Sequence, residues 1–186
     1  MNAILSLATA FGLSTSAGLN AYIPLLIVAL LARYTDLVQL SPEWAALANG
    51  WVIALMAVLL AVEVVADKVP AVDSLNDILQ TVVRPAAGAI LFAATTGHAV
   101  HLHPVLAMAL GVILAGSVHA VKAGGRPLVT AATGGTANAL VSTMEDAIAT
   151  TVSLVAVLFP YLMLLWLLFL LWLLVWWRKR RARRRG

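Results

Sequence analysis

Long apolar runs, punctuated by short polar stretches, occupy nearly the whole chain. Residues 3 to 32 are apolar except for Ser14-Thr15-Ser16-Ala17-Gly18-Leu19-Asn20, with Pro24 just beyond, and this pattern predicts a broken first helix. Ser41-Pro42 supplies an N-cap followed by proline at the first helical position, opening a short surface helix that ends near Asn49-Gly50. A second span runs from Trp51 to about Val69 and is stopped by Pro70. A short polar helix follows Asp73, and Arg84-Pro85 opens a third span reaching Val100. Pro104 begins a fourth span that carries Gly111 and Gly116 as small packing positions and finishes at Gly124-Gly125. The stretch from Arg126 to Asn138 is too polar and glycine-rich for a lipid-facing helix. Helix resumes from Ala139 to Phe159, and Pro160 starts a Leu/Trp span ending at Trp176-Trp177, an interfacial aromatic belt. A turn at Phe159-Pro160 is required, because one helix from Asn138 to Trp177 would be about 60 Å long, twice the hydrocarbon thickness.

These runs are continuous rather than alternating, so the spans are helices and not strands of a barrel. The fold class is therefore all-α: a polytopic transmembrane helix bundle of about six spans, with broken or re-entrant helices near residues 14–20 and 126–138. Composition agrees, with 62% hydrophobic residues, 11% charged residues and a mean hydropathy of +0.98. Residues 1–177 form a single transmembrane domain and residues 178–186 a basic cytoplasmic tail. A cleaved leader competes for the first segment, since Thr15-Ser16-Ala17 resembles a small-residue cleavage site, but no Lys or Arg precedes the apolar run. Cysteine is absent, which excludes disulfides, thiolate metal sites and a cysteine nucleophile.

Seven of the twelve basic residues lie between Arg178 and Arg185. Such a tail fixes topology and binds membrane lipids through anionic headgroups; nucleic acid is not an expected partner. In a six-span arrangement Lys68, Arg84, Lys122 and Arg126 fall on the same face as the tail, with Arg33 alone opposite. This asymmetry predicts a multi-pass protein of the bacterial cytoplasmic membrane with both termini cytoplasmic.

Nearly every other charge gathers at that end. Glu63 and Asp67 are four residues apart on one helix, as are Asp73 and Asp77 on the next; His119, Lys122 and Arg126 continue one side of the fourth span. Glu145-Asp146 lies about two turns inside the fifth span, where an unpaired carboxylate costs about 2.5–3.5 kcal/mol. Half-helix ends beside such charges present donors to anions, so Asn20, Lys68, Arg84, Lys122, Arg126 and Asn138 are the candidate substrate-binding residues. Glu63, Asp67, Asp73, Asp77, His119, Glu145 and Asp146 are the candidate coupling or ion-binding residues. His98, His101 and His103 read as a surface turn.

Three functions compete for this constellation. A small translocase or transporter for an anionic amphiphile or solute would use the bases for the anion and the acids for coupling. A membrane-embedded enzyme acting on a phosphate or diphosphate lipid would hold a divalent cation at Glu63, Asp67, Asp73 and Asp77. A structural protein would use the same charges as an internal salt-bridge network. No Walker loop or dinucleotide fingerprint is present, and no other cofactor is expected. A chain this small is also expected to form homo-oligomers.

The string EVVADKVPAVDSLNDILQTVVRPAAGA from Glu63 to Ala89 stands out. With His119, Lys122, Arg126-Pro127 and the run from Thr133 to Asp146, it resembles an uncharacterised bacterial integral membrane family, domain of unknown function four-one-two-six. The opening AGLNAYIPLL is similar as well, so the likeness covers roughly residues 8 to 160. It implies a membrane bundle with a shared polar site and carries no activity with it.

Overall fold

The computed structural model describes residues 2–67, 70–97, 100 and 102–183, and their side chains except those of 70–75, 77, 182 and 183. Lys68, His98 and His101 thus lie outside the described residues, and Asp73 and Asp77 outside the described side chains. Among the described residues seven α-helices follow one another: α1 (Ala3–Ala17), α2 (Tyr22–Tyr34), α3 (Gly50–Ala66), α4 (Pro70–Thr96), α5 (Pro104–Thr133), α6 (Asn138–Leu158) and α7 (Pro160–Arg183). A 3-10 helix, Pro42–Ala48, precedes α3 and is bent by 61° from it. Among the described residues α4 to α7 are long and apolar enough to cross a membrane, and the bent pair supplies a fifth candidate span.

The first helix is broken, as the sequence predicts, and the break reverses the chain. Thr9 Oγ1 donates to the Ala156 carbonyl, Ser16 Oγ to the Ala149 carbonyl and Asn20 Nδ2 to Asp146, so α1 runs antiparallel to α6. At the far end of α2, Arg33 Nη1 donates to the carbonyl of Ala48 in the 3-10 helix. The segment leading into that helix packs Ser41 against Gly97, just past the end of α4. α1 and α2 are therefore two short antiparallel arms, and both outer ends lie away from the Gly18–Ala21 tip. Asn20 makes the tip, its Oδ1 accepting the backbone N–H groups of Tyr22 and Ile23 at 3.0 Å each. The start of α1 consequently sits at the end of the bundle remote from the buried charges, the re-entrant form of the two that the sequence leaves open for residues 14–20.

α1 is the central helix, packed against α4, α5, α6 and α7. Ser6, Thr9, Ser14 and Ser16 are buried along it, and those that face α4 and α6 give their hydroxyls to neighbouring carbonyls. Small hydroxyl residues allow this close approach without leaving a polar atom unmet in an apolar interior. α4 and α5 cross tightest at Gly88 and Gly111, where a Cβ on Gly111 would lie 2.2 Å from the Gly88 carbonyl oxygen.

Two boundaries differ from the sequence reading. The polar helix after Asp73 and the third span are one helix, with Pro85 inside it, and α5 continues through Gly124-Gly125 and Pro127 to Thr133. The second irregular segment thus narrows from 126–138 to 134–137, where Gly134 and Gly135 take φ of 59° and 85°, the left-handed region that favours glycine. In both cases the proline follows a buried arginine, and the ion pairs of Arg84 and Arg126 anchor the helix through a residue that would otherwise end it.

Candidate functional site: a buried layer of charges

Among the described residues four helices bring ionisable side chains to one level of the bundle, and the α1–α2 tip adds neutral groups to it. α3 contributes Glu63 in its last turn and Asp67 just past it; α4 contributes Arg84; α5 contributes His119, Lys122 and Arg126; α6 contributes Glu145 and Asp146; and the α1–α2 tip contributes Leu19 and Asn20. Arg84 lies six residues inside the apolar part of α4, Ile78–Thr96, a depth of about 9 Å along the helix.

The contacts form two groups, one around Arg84 and one around Glu145. Arg84 Nη2 donates to Glu63 Oε1 at 3.0 Å, and Arg84 Nη1 lies 3.1 Å from His119 Nδ1. Since a guanidinium only donates, that imidazole nitrogen accepts; Nε2 of the same ring meets the Thr81 hydroxyl at 3.1 Å. Lys122 Nζ lies 2.8 Å from Glu145 Oε2 and donates to the Leu19 carbonyl at 3.0 Å. Arg126 Nη2 reaches the same Glu145 oxygen at 2.9 Å and lies 3.7 Å from Asp67 Oδ2. Asp67 also accepts from Asn76 Nδ2 at 2.7 Å and from Ser142 Oγ at 2.9 Å. Asn20 closes the layer on Asp146 at 2.9 Å.

Of the residues singled out from the sequence, the layer brings together Asn20, Glu63, Asp67, Arg84, His119, Lys122, Arg126, Glu145 and Asp146. Asn138 stands apart: it opens α6, about two turns before Glu145, and exchanges hydrogen bonds with Thr130. His103 caps α5, its Nδ1 accepting from the Val105 N–H. Sequence reasoning passed over Asn76, Thr81 and Ser142 and the Leu19 carbonyl. The i, i+4 series Asn76-Gln80-Arg84 and the neighbourhood of Ser142 to Glu145 were the signals for the side chains. A backbone carbonyl at a helix break leaves no signal in residue identity. Among the described residues no group of three or more His, Asp or Glu side chains is placed to hold a metal ion.

Beside this layer a groove of about 420 Å³ opens between α1, α5, α6 and α7. Its lining is almost wholly apolar and includes Leu19, Val118, Ile148, Val152, Leu162 and Trp166, with Thr15, Ser16 and Thr151 as its polar positions. Leu19 belongs to both places, its side chain in the groove and its carbonyl on Lys122.

The family model described as a domain of unknown function, DUF4126, matches residues 7–180, nearly the whole chain. No curated protein and no solved structure matches it.

Proposed function

The chain belongs to the DUF4126 family, and on the geometry of its charged layer we propose that it is a small translocase for an anionic amphiphile. The observation that carries this reading is the position of Leu19, where an apolar groove of ligand-sized volume meets a buried ammonium group. An acyl chain fits the groove; its anionic headgroup exchanges with Glu145 for Lys122 and Arg126. Glu145 suits that exchange because it is the common partner of both cations and keeps 14% of its side chain exposed, against 2% for Lys122. A broken-helix tip beside the cations supports the same reading, since such tips line ligand paths in membrane proteins. In this proposal Lys122 and Arg126 bind substrate, Arg84 and Asn20 position them, and Glu63, Asp67 and Asp146 belong to coupling.

The orientation that suits the charge asymmetry places the charged end and the basic tail toward the cytoplasm of a bacterial inner membrane, where the tail meets anionic headgroups. The α1–α2 arms then begin and end on the opposite face, so a cytoplasmic position is retained for the C-terminus alone.

The test is transfer of fluorescent phosphatidylglycerol across vesicle bilayers containing the protein, read by quenching with impermeant dithionite, with fluorescent phosphatidylcholine as control. Protein-dependent transfer of the anionic lipid is expected. Val152→Trp, which fills the groove, and Lys122→Gln are each expected to return it to the protein-free rate. A second reading has its own observation: Lys122 and Arg126 already meet the carboxyl group of Glu145, and Arg84 that of Glu63, as a purely structural network requires. Wild-type transfer no faster than in protein-free vesicles, for both lipids, favours that reading and overturns the first.

A further inference from the structure

The α3–α4 contact holds two acceptor oxygens that the ion pairs leave out. Glu63 is 1% exposed, and its Oε1 takes the Arg84 guanidinium, but its Oε2 has no hydrogen-bond partner among the described residues. Gln80 is 3% exposed, and its Oε1 likewise has none. Burying one such atom costs about 1–3 kcal/mol, so two in one layer call for an account.

The register relates them. α3 and α4 run antiparallel, with Glu63 on Arg84 and Asp67 on Asn76. Asn76, Gln80 and Arg84 share one face of α4 at i, i+4 spacing, and Glu63 and Asp67 share one face of α3. Gln80 is thereby set opposite the turn that carries the two acids.

We propose that Glu63 carries a proton in the resting protein and donates it through Oε2 to the Gln80 side-chain carbonyl, while its Oε1 accepts from Arg84. One proton satisfies both buried oxygens. Glu63 is surrounded by Asp67 on its own helix, Arg84 on α4, Lys122 on α5 and Tyr22 on α2. Release of the proton would leave a carboxylate that competes for Arg84 and Lys122 against their other partners. That is a means of coupling proton movement to the grip of Lys122 on Glu145, and this coupling role rests on the translocase reading, whereas the protonated resting state does not.

The carboxyl group is directly observable. Glutamate occurs only at positions 43, 63 and 145, so infrared difference spectra between natural and carboxyl-13C-glutamate protein at neutral pH contain few contributions. The expected result is a protonated-carboxyl C=O band that vanishes in Glu63→Gln and shifts in Gln80→Leu. Carboxylate bands alone overturn the proposal and indicate an ionised Glu63 with the Gln80 amide turned over, Nε2 donating. Glu63→Gln, whose amide keeps both hydrogen bonds of the protonated acid, is expected to unfold at the wild-type temperature; a loss of fold in this variant also counts against the proposal. The band with no lipid transfer leaves the proton site standing and removes only its coupling role; transfer without the band does the reverse.

Discussion

Arg84 has no exposed surface, and its guanidinium is divided between Glu63 and His119. Removing Arg84 takes this donor from the buried Glu63 Oε1 and His119 Nδ1, and a buried acceptor left unmet costs about 1–3 kcal/mol. Arg84→Met is therefore expected to destabilise by that amount in chemical unfolding of the detergent-solubilised protein. With Glu63 neutral, the double variant Glu63→Gln, Arg84→Met should be as unstable as the single one; recovery of most of the loss would show instead that Arg84→Met strands an ionised Glu63. At this scale the sequence was informative about membership and silent about pairing. Charges inside apolar runs are costly, so Glu63, Arg84, Lys122, Arg126 and Glu145 stood out wherever they lay. Which acid meets which base depends on helix rotation and register, and the neutral partners Asn76, Thr81 and Ser142 look like ordinary polar residues in the sequence.

Between elements, small residues do what charge does within the layer. A methyl group on Gly111 meets the Gly88 backbone, which has no rotamer to yield, so Gly111→Ala should force α4 and α5 apart at a cost of about 1–3 kcal/mol. Gly124 is also helical, yet nothing lies within 4 Å of its added Cβ. Gly124→Ala should be neutral or stabilise by roughly 0.4–1 kcal/mol, chiefly by restricting the unfolded chain. The opposite signs of the two substitutions, measured by the same unfolding titration, check the α4–α5 crossing. The polar, glycine-rich stretch from Arg126 to Asn138 reads from its composition as a single irregular segment. Only Gly134 and Gly135 break the helix, because Arg126 is tied to Glu145, and Thr130 and Thr133 return their hydroxyls to the carbonyls one turn back. Local polarity does not reveal ties made to another helix.

The whole molecule makes a prediction about faces of the membrane. Because the sequence has no cysteine, each introduced one is the sole thiol. Asn2→Cys and Leu37→Cys should react with an impermeant reagent from one side, and Thr136→Cys from the other. Labelling of Asn2→Cys from the Thr136 side would replace the antiparallel arms by a single crossing. The sequence leaves both open, since thirty apolar residues with a weak middle fit one tilted span as well as two short arms. Deciding between them takes the contacts of Thr9, Ser16 and Asn20 with α6, residues more than a hundred positions away.

The central place of α1 bears on how the protein is made. Its first fifteen helical residues leave the ribosome before any of the helices they pack against, and Thr9 waits for a carbonyl 147 residues downstream. During synthesis this hydroxyl-rich segment has neither enough apolar length to rest stably across the bilayer nor a partner to cover its polar face. α1 is therefore seated only after the helices it packs against have been made, so slow or failed assembly should leave it open to proteases while α4 to α6 are already inserted.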